Sequence, residues 1–121
     1  MHRRIVRVGV IGSGFGARVH VPAFRMLEHV HVIGLASRHR EHAASVAAAL
    51  GELRVFPDAQ SLIHCPEIDI VTVAVPPAEE TAIITSAIAA GKHVFAEKPL
   101  GATSGEAKGL LEAAEGAGIA H

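Results

Sequence analysis

Gly12-Ser13-Gly14-Phe15-Gly16-Ala17 reads G-x-G-x-x-A and follows directly on the apolar run Ile5 to Ile11. This is the chemistry of a pyrophosphate cradle. Gly12 permits a tight turn, Gly14 lets backbone approach the anion, and small Ala17 lets the next helix pack closely on the strand. That helix then presents unpaired N–H groups and a partial positive charge to the phosphates. Ser13 reads as a phosphate donor rather than a nucleophile, and Phe15 and Gly16 complete the loop. A dinucleotide's ribose is usually held by an Asp or Glu about 20 residues further on. Here that place reads Ala36-Ser37-Arg38, with no carboxylate to hold a 2′-hydroxyl or to repel a 2′-phosphate. Ser37 can donate a hydrogen bond and Arg38 can fork onto a phosphate. Arg40 and His42 add local positive potential. The pattern favours NADP, with NAD as the alternative.

A second chemical stretch, Ala96-Glu97-Lys98-Pro99-Leu100, stands near the C-terminus. Lys98 follows a short β-branched segment, and the carboxyl ends of strands are where open α/β sheets bind ligands. The other candidates are weaker. His29 and His31 alternate on a strand and His39 and His42 lie a helical turn apart, but no third ligand stands at a metal-site spacing, so no metal is expected. Cys65 has no evident base partner, and one cysteine excludes an internal disulfide. Glu79 and Glu80 are adjacent and point in different directions on a helix, so they make no paired-carboxylate site.

The elements that must position these residues alternate along the chain. Ile5–Ile11 and Val30–Ala36 read as strands, as does Ile68–Val75 before Pro76-Pro77. Leu53–Phe56 and His93–Ala96 are shorter strands. Helical spacing runs over Ala17–Glu28, with Pro22 tolerable if the helix is irregular there or begins late. Glu41–Leu50, a short segment ending near Cys65-Pro66, Glu79–Ala90 and Ser104–Ala117 complete the helices. Alternation with short turns predicts a doubly wound α/β fold: a mostly parallel sheet of five to six strands with helices on both faces. Ile119-Ala120-His121 falls where a sixth strand would begin, so the chain reads as cut off there.

At 121 residues, 50% hydrophobic and 19% charged, the chain suits one folded domain. No apolar run reaches the roughly 20 residues of a membrane span. The basic start Met1-His2-Arg3-Arg4 is followed by strand-like residues, with no signal-peptide core, and a cytoplasmic protein is expected. A net charge of −1, and the lack of any stretch joining basic and aromatic residues, give nucleic acid no footprint.

With the glycine loop at one end, Ile68-Asp69-Ile70-Val71 and Val75-Pro76 between, and Ala90-Gly91-Lys92-His93-Val94-Phe95-Ala96-Glu97-Lys98-Pro99-Leu100 at the other, the sequence resembles the Gfo/Idh/MocA oxidoreductases. His20-Val21-Pro22-Ala23 is similar to the family as well. The likeness spans essentially the whole chain. It implies an NAD(P)-binding domain over 1–121 and a larger substrate domain absent from this chain. It also implies hydride transfer between nicotinamide and a carbon bearing a hydroxyl, on a sugar, cyclitol or similar molecule, in a homo-oligomer. By that resemblance Lys98 is catalytic, and Glu97 and Pro99 line the cofactor site with Val75, Pro76 and Pro77. The family often carries a His after the fourth strand; here Glu80 stands near that place, leaving its cofactor contact open. A non-catalytic nucleotide-binding or redox-sensing module is the alternative function, and a doubly wound domain for another nucleotide is a third.

Overall fold

The computed structural model describes residues 3–121, so the Met1-His2 part of the basic start lies outside the described residues. Five parallel strands form one sheet: β1 (Val6–Ile11), β2 (Val30–Ala36), β3 (Arg54–Val55), β4 (Ile70–Val73) and β5 (His93–Ala96), in the order β3-β2-β1-β4-β5. The chain winds outward from β1 to β3, crosses back to β4, and winds outward again to β5. β1 and β4 therefore flank the point where the winding reverses, and a crevice opens beyond their carboxyl ends.

Why these segments are strands follows from their two-sided burial. Val8 and Val10 face one layer, and Ile11, Val71, Val73 and Val94 face the other. Runs without alternation suit a sheet covered on both faces. The first layer is a π-helical turn (Gly16–His20) running into α1 (Val21–Arg25), with α2 (Arg40–Leu50) beside it; the second holds α3 (Ala59–Ile63), α4 (Pro77–Ala89) and α5 (Ser104–Ala117).

The first helix departs from the predicted Ala17–Glu28, and Pro22 is the reason. Proline has no N–H to give to an i−4 carbonyl. The Val21 amide instead reaches back to the Gly16 carbonyl, closing a wider turn, and a fresh α-helix starts with Pro22 in its first turn, where no donor is needed. The helix stops at Arg25, whose guanidinium donates to the Leu50 and Gly51 carbonyls at the end of α2. Elsewhere the boundaries shift by a few residues: α4 begins two residues early, at Pro77, and β4 is trimmed to four residues.

α5 carries a full capping box. The Thr103 hydroxyl accepts from the Glu106 amide at 3.1 Å, and the Glu106 carboxylate accepts from the Thr103 amide at 3.0 Å. Gly118 ends the helix in the left-handed region (φ 68°). Beyond it the Ala120 carbonyl accepts from the Val94 amide at 3.1 Å, a single rung beside β5 where a sixth strand was expected. Thr103→Ala should cost about 1 kcal/mol of stability by losing the cap. Urea unfolding of both proteins checks this, and an unchanged midpoint would contradict the role given to the box.

Candidate functional site

Three backbone hydrogen bonds tie the carboxyl ends of the strands together. The Gly12 amide donates to the Ala36 carbonyl, the Ala74 amide to Ile11, and the Glu97 amide to Val73, each at 2.9 Å. The glycine loop, the residues after β4 and the turn after β5 thus start from one rigid edge.

Gly12 leaves β1 at φ +121°, a conformation L side chains rarely adopt, and a Cβ there would collide with the Ala74 carbonyl. Gly14 is the opposite case. It is exposed, and nothing lies within 4 Å of where its Cβ would be. The sequence requires glycine at Gly12 for the fold, while at Gly14 only something not belonging to the protein could need the space. Gly16 and Ala17 are buried under the first helix, as their small size allows.

Beside the loop lies a cleft of about 710 Å³ lined by Gly12, Ser13, Gly14, Ser37, Arg38, Val75 and Pro76, among others. At its β2 side the buried Ser13 hydroxyl donates to Ser37 Oγ at 2.9 Å, and the His39 amide donates to the same Ser37 oxygen at 3.1 Å. His42 Nδ1 stands 2.9 Å from the Ser13 hydroxyl. Arg38 reaches across the cleft to the Glu79 carboxylate at the start of α4. Glu79, and the wall formed by Pro57, Asp58 and Ile83, were not foreseen. They come from segments 20 to 46 residues beyond Ser37, a juxtaposition that only the crossover makes.

The turn after β5 forms a second cluster. Glu97 Oε1 lies 2.9 Å from Nε2 of His20, which is 3% exposed at the end of the π-helical turn. The hydrogen bond from His20 holds the Glu97 carboxyl below the usual range, and the Lys98 amide and the charge of Lys98 add to the effect. The His20 ring meets Phe15 and Phe95 edge to face, at centroid distances of 5.6 and 5.3 Å. Glu80 turns inward, 1% exposed, and accepts from the Gly101 amide at 2.9 Å. Burial pushes its carboxyl above the ordinary range; the Gly101 bond opposes this and the charge of Glu97 adds to it. Lys98 and Pro99 are exposed on the turn between these anchors, joined by a cis peptide bond.

The predicted site residues therefore fall into two groups. Gly12, Ser13, Gly14, Ser37, Arg38, Val75 and Pro76 share the cleft, with His42 attached through Ser13. Glu97, Lys98 and Pro99 stand apart from its lining, at the end of β5. Phe15 points from the loop toward that second group. Pro77 begins α4, and Glu80 fastens the Lys98 loop instead of lining the cleft. His20 was singled out only for its resemblance, because its partner Glu97 is 77 residues away in sequence. Among the described residues no group of three or more His, Cys, Asp or Glu side chains could hold a metal ion, and no helix is long and apolar enough to cross a membrane.

The open space at Gly14, the buried hydroxyl of Ser13 and the cationic β2 side fit a dinucleotide laid over the reversal point. The fold and cleft thus define a dinucleotide-binding α/β domain. Residues 6–120 match the family model described as "Oxidoreductase family, NAD-binding Rossmann fold", and the chain belongs to this Gfo/Idh/MocA family. It is 35% identical over 111 residues to an inositol 2-dehydrogenase from Acidothermus cellulolyticus, covering 91% of this chain and 33% of that protein. Biliverdin reductase from Synechocystis sp., solved with biliverdin and NADP+, superposes with a TM-score of 0.88 at 33% identity, over 95% of this chain and 36% of that one. The myo-inositol dehydrogenase of Lactobacillus casei, solved with NAD(H) and myo-inositol, gives 0.82 at 30% identity, over 90% and 33%. The chain spans about a third of the length of these relatives.

The two glycines should separate stability from binding. Gly12→Ala should unfold more easily, whereas Gly14→Val should keep the parent's melting temperature yet lose dinucleotide binding, because its side chain fills the phosphate's space. Circular dichroism melts paired with NADPH titration test this, and normal binding by a folded Gly14→Val protein would move the phosphate site elsewhere.

Glu80 and Glu97 should leave opposite marks on stability. The folded state binds the Glu80 proton more tightly than the unfolded chain does, so this stability is present in acid and lost as pH rises through the raised folded value. The contribution of Glu97 is present above the ordinary glutamate value and lost as pH falls. Glu80→Gln keeps an acceptor for Gly101 and removes the titration, so the decline of melting temperature as pH rises above the ordinary glutamate range should shrink. An unaltered pH profile would show that Glu80 does not titrate in this window.

Proposed function

We propose that this chain is the cofactor domain of an NADP-preferring oxidoreductase that moves a hydride between nicotinamide and a hydroxyl-bearing or keto carbon of a sugar, cyclitol or related small molecule. The observation that carries the cofactor choice is the β2 side of the cleft. Two serine hydroxyls, the His39 amide, His42 and Arg38 converge where a 2′-hydroxyl-binding carboxylate would otherwise stand. Gly12, Ser13 and Gly14 would take the pyrophosphate, with Val75 and Pro76 along the chain toward β5. Arg38 would exchange the Glu79 carboxylate for the 2′-phosphate. Because the Arg38 end of that ion pair is exposed, little stability opposes the exchange.

Bound nicotinamide supplies the hydride acceptor or donor. Lys98 is the residue we assign to the reacting oxygen: its ammonium donates hydrogen bonds and stabilises negative charge developing there. Glu97 and Pro99 shape its turn. Among the described residues Lys98 has no partner base and no wall to exclude water, so substrate binding and turnover are assigned to a second domain. The relatives named as inositol dehydrogenases support the polyol class. We place the protein in the cytoplasm, where the lone unpaired Cys65 fits a reducing compartment. Self-association is the remaining part of the proposal, supported by Phe15, Val19 and Phe95, which are 43–50% exposed.

Calorimetric titration should give NADPH a Kd roughly tenfold or more below that of NADH, the value of one charge-assisted hydrogen bond. Arg38→Ala should erase most of that difference with NADH little changed, and Glu79→Gln should tighten NADPH by freeing Arg38. Equal affinities in the parent chain would overturn the NADP assignment.

A further inference from the structure

We propose that His20 is a positioning residue for the catalytic turn: by gripping Glu97 it fixes Lys98 relative to the phosphate loop, so that the nicotinamide half of the cofactor depends on a side chain it never touches. The inference rests on the dinucleotide reading above and adds to it a residue outside the cleft.

Position comes first. The ribose group of Ser37 and Arg38 stands at the end of β2, on one side of the reversal point, and Glu97-Lys98-Pro99 stands at the end of β5 on the other. A dinucleotide crossing the glycine loop from β2 therefore leads its second half toward β5.

The geometry at His20 is built for a single use. The Glu97 carboxylate can only accept, so Nε2 is the donor, 2.9 Å away. Nδ1 is buried and meets no polar partner among the described residues. Native proteins rarely leave such atoms unmet, and each exception asks for a reason. Here the ring is wedged between Phe15 on the loop and Phe95 on β5, so its orientation is set by two aromatic edges and one carboxylate. The Glu97 carboxylate sets which nitrogen carries the proton, and packing, not a second hydrogen bond, sets the aim of the ring.

The π-helical turn delivers it. One extra residue in a turn rotates every following side chain by roughly 100° about the helix axis. His20 closes that turn, so its side chain takes a direction that an uninterrupted α-helix would not give it. π-turns often sit at functional places for this reason. From the other side, Glu80 holds the Gly101 amide. The loop bearing Lys98 is thus fastened at both ends by buried side chains from the first helix and from α4, while Lys98 itself stays free to reach outward.

The test separates the two halves of the cofactor on the full chain. NADPH and 2′,5′-ADP, which lacks nicotinamide, are titrated against the parent and the His20→Ala, His20→Gln and Glu97→Gln variants, with melting temperatures for each. NADPH fluorescence, undisturbed because the chain has no Trp, reports the nicotinamide directly. His20→Ala and Glu97→Gln should weaken NADPH roughly tenfold and diminish its emission change, with 2′,5′-ADP held within about twofold. His20→Gln, whose amide can still donate to Glu97, should recover part of the loss. Equal weakening of both ligands, or NADPH binding unchanged in folded His20→Gln and Glu97→Gln proteins, would overturn the positioning role while leaving the dinucleotide reading intact. Binding of neither ligand by the parent would overturn both.

Discussion

Gly12 lies against the Ala74 carbonyl so closely that no side chain fits between them, and the site is organised by that contact. It lets the chain leave β1 sideways while β1 and β4 remain paired to their last residues, Ile11 opposite Val73. A larger residue would push the two strands apart where the winding reverses. The amides of Gly12, Ala74 and Glu97 would then lose the register that holds them to Ala36, Ile11 and Val73. The cleft is the space left when a tight turn and a parallel sheet must share one edge, and everything that borders it inherits the sheet's rigidity.

Charge is distributed unequally along that edge. The β2 side presents the Arg38 guanidinium and the Ser37 hydroxyl, whose oxygen accepts from Ser13 and the His39 amide so that its own proton can point into the cleft. The β5 side presents two carboxyl groups, Glu80 and Glu97, each occupied by a hydrogen bond inside the protein. Their environments push them apart: burial raises Glu80, while the bond from His20 lowers Glu97. Were both ionised and unmatched, they would repel the phosphates of a ligand crossing the loop. Fastened as they are, they act as anchors for backbone, and Lys98 is the one cationic side chain carried on the turn they brace.

What was legible in the sequence was whatever is encoded locally. Ile5–Ile11 and Ile68–Val75 announce buried strands because they are apolar runs rich in β-branched residues, and Gly12, Gly14 and Ala17 announce the loop because each meets a separate steric demand. Boundaries were less legible where a single residue decides them. Pro22 was recognised as an interruption, but only the structure shows that a wider turn precedes it and aims His20. Pairings across the crossover were not legible at all. Glu79 with Arg38, Glu80 with Gly101 and Glu97 with His20 join residues 21 to 77 positions apart, and no spacing rule reaches so far. Glu80 illustrates the difficulty. The resemblance drew attention to it as standing near the family's His and left its contact open, and the structure shows it buried and holding the Gly101 amide.

The two faces of the sheet are not equally finished, and that asymmetry bears on what the chain can do alone. The face under α3, α4 and α5 closes over Val94, but on the opposite face Phe95 stays half exposed with the rings of Phe24 and His20 at its edge, centroid to centroid 5.7 and 5.3 Å. Phe15 and Val19 continue the same apolar surface up to the glycine loop. Lys98, exposed, follows Phe95 by three residues on the turn after β5. A hydride transfer needs reacting atoms held near 3–3.5 Å and water kept out. An exposed lysine on an uncovered aromatic surface supplies a hydrogen-bond donor and a place to dock, but not the enclosure. If Lys98 has the role proposed for it, a partner surface seated against Phe15 and Phe95, near the end of β5, would also be placed to help enclose the turn that carries it.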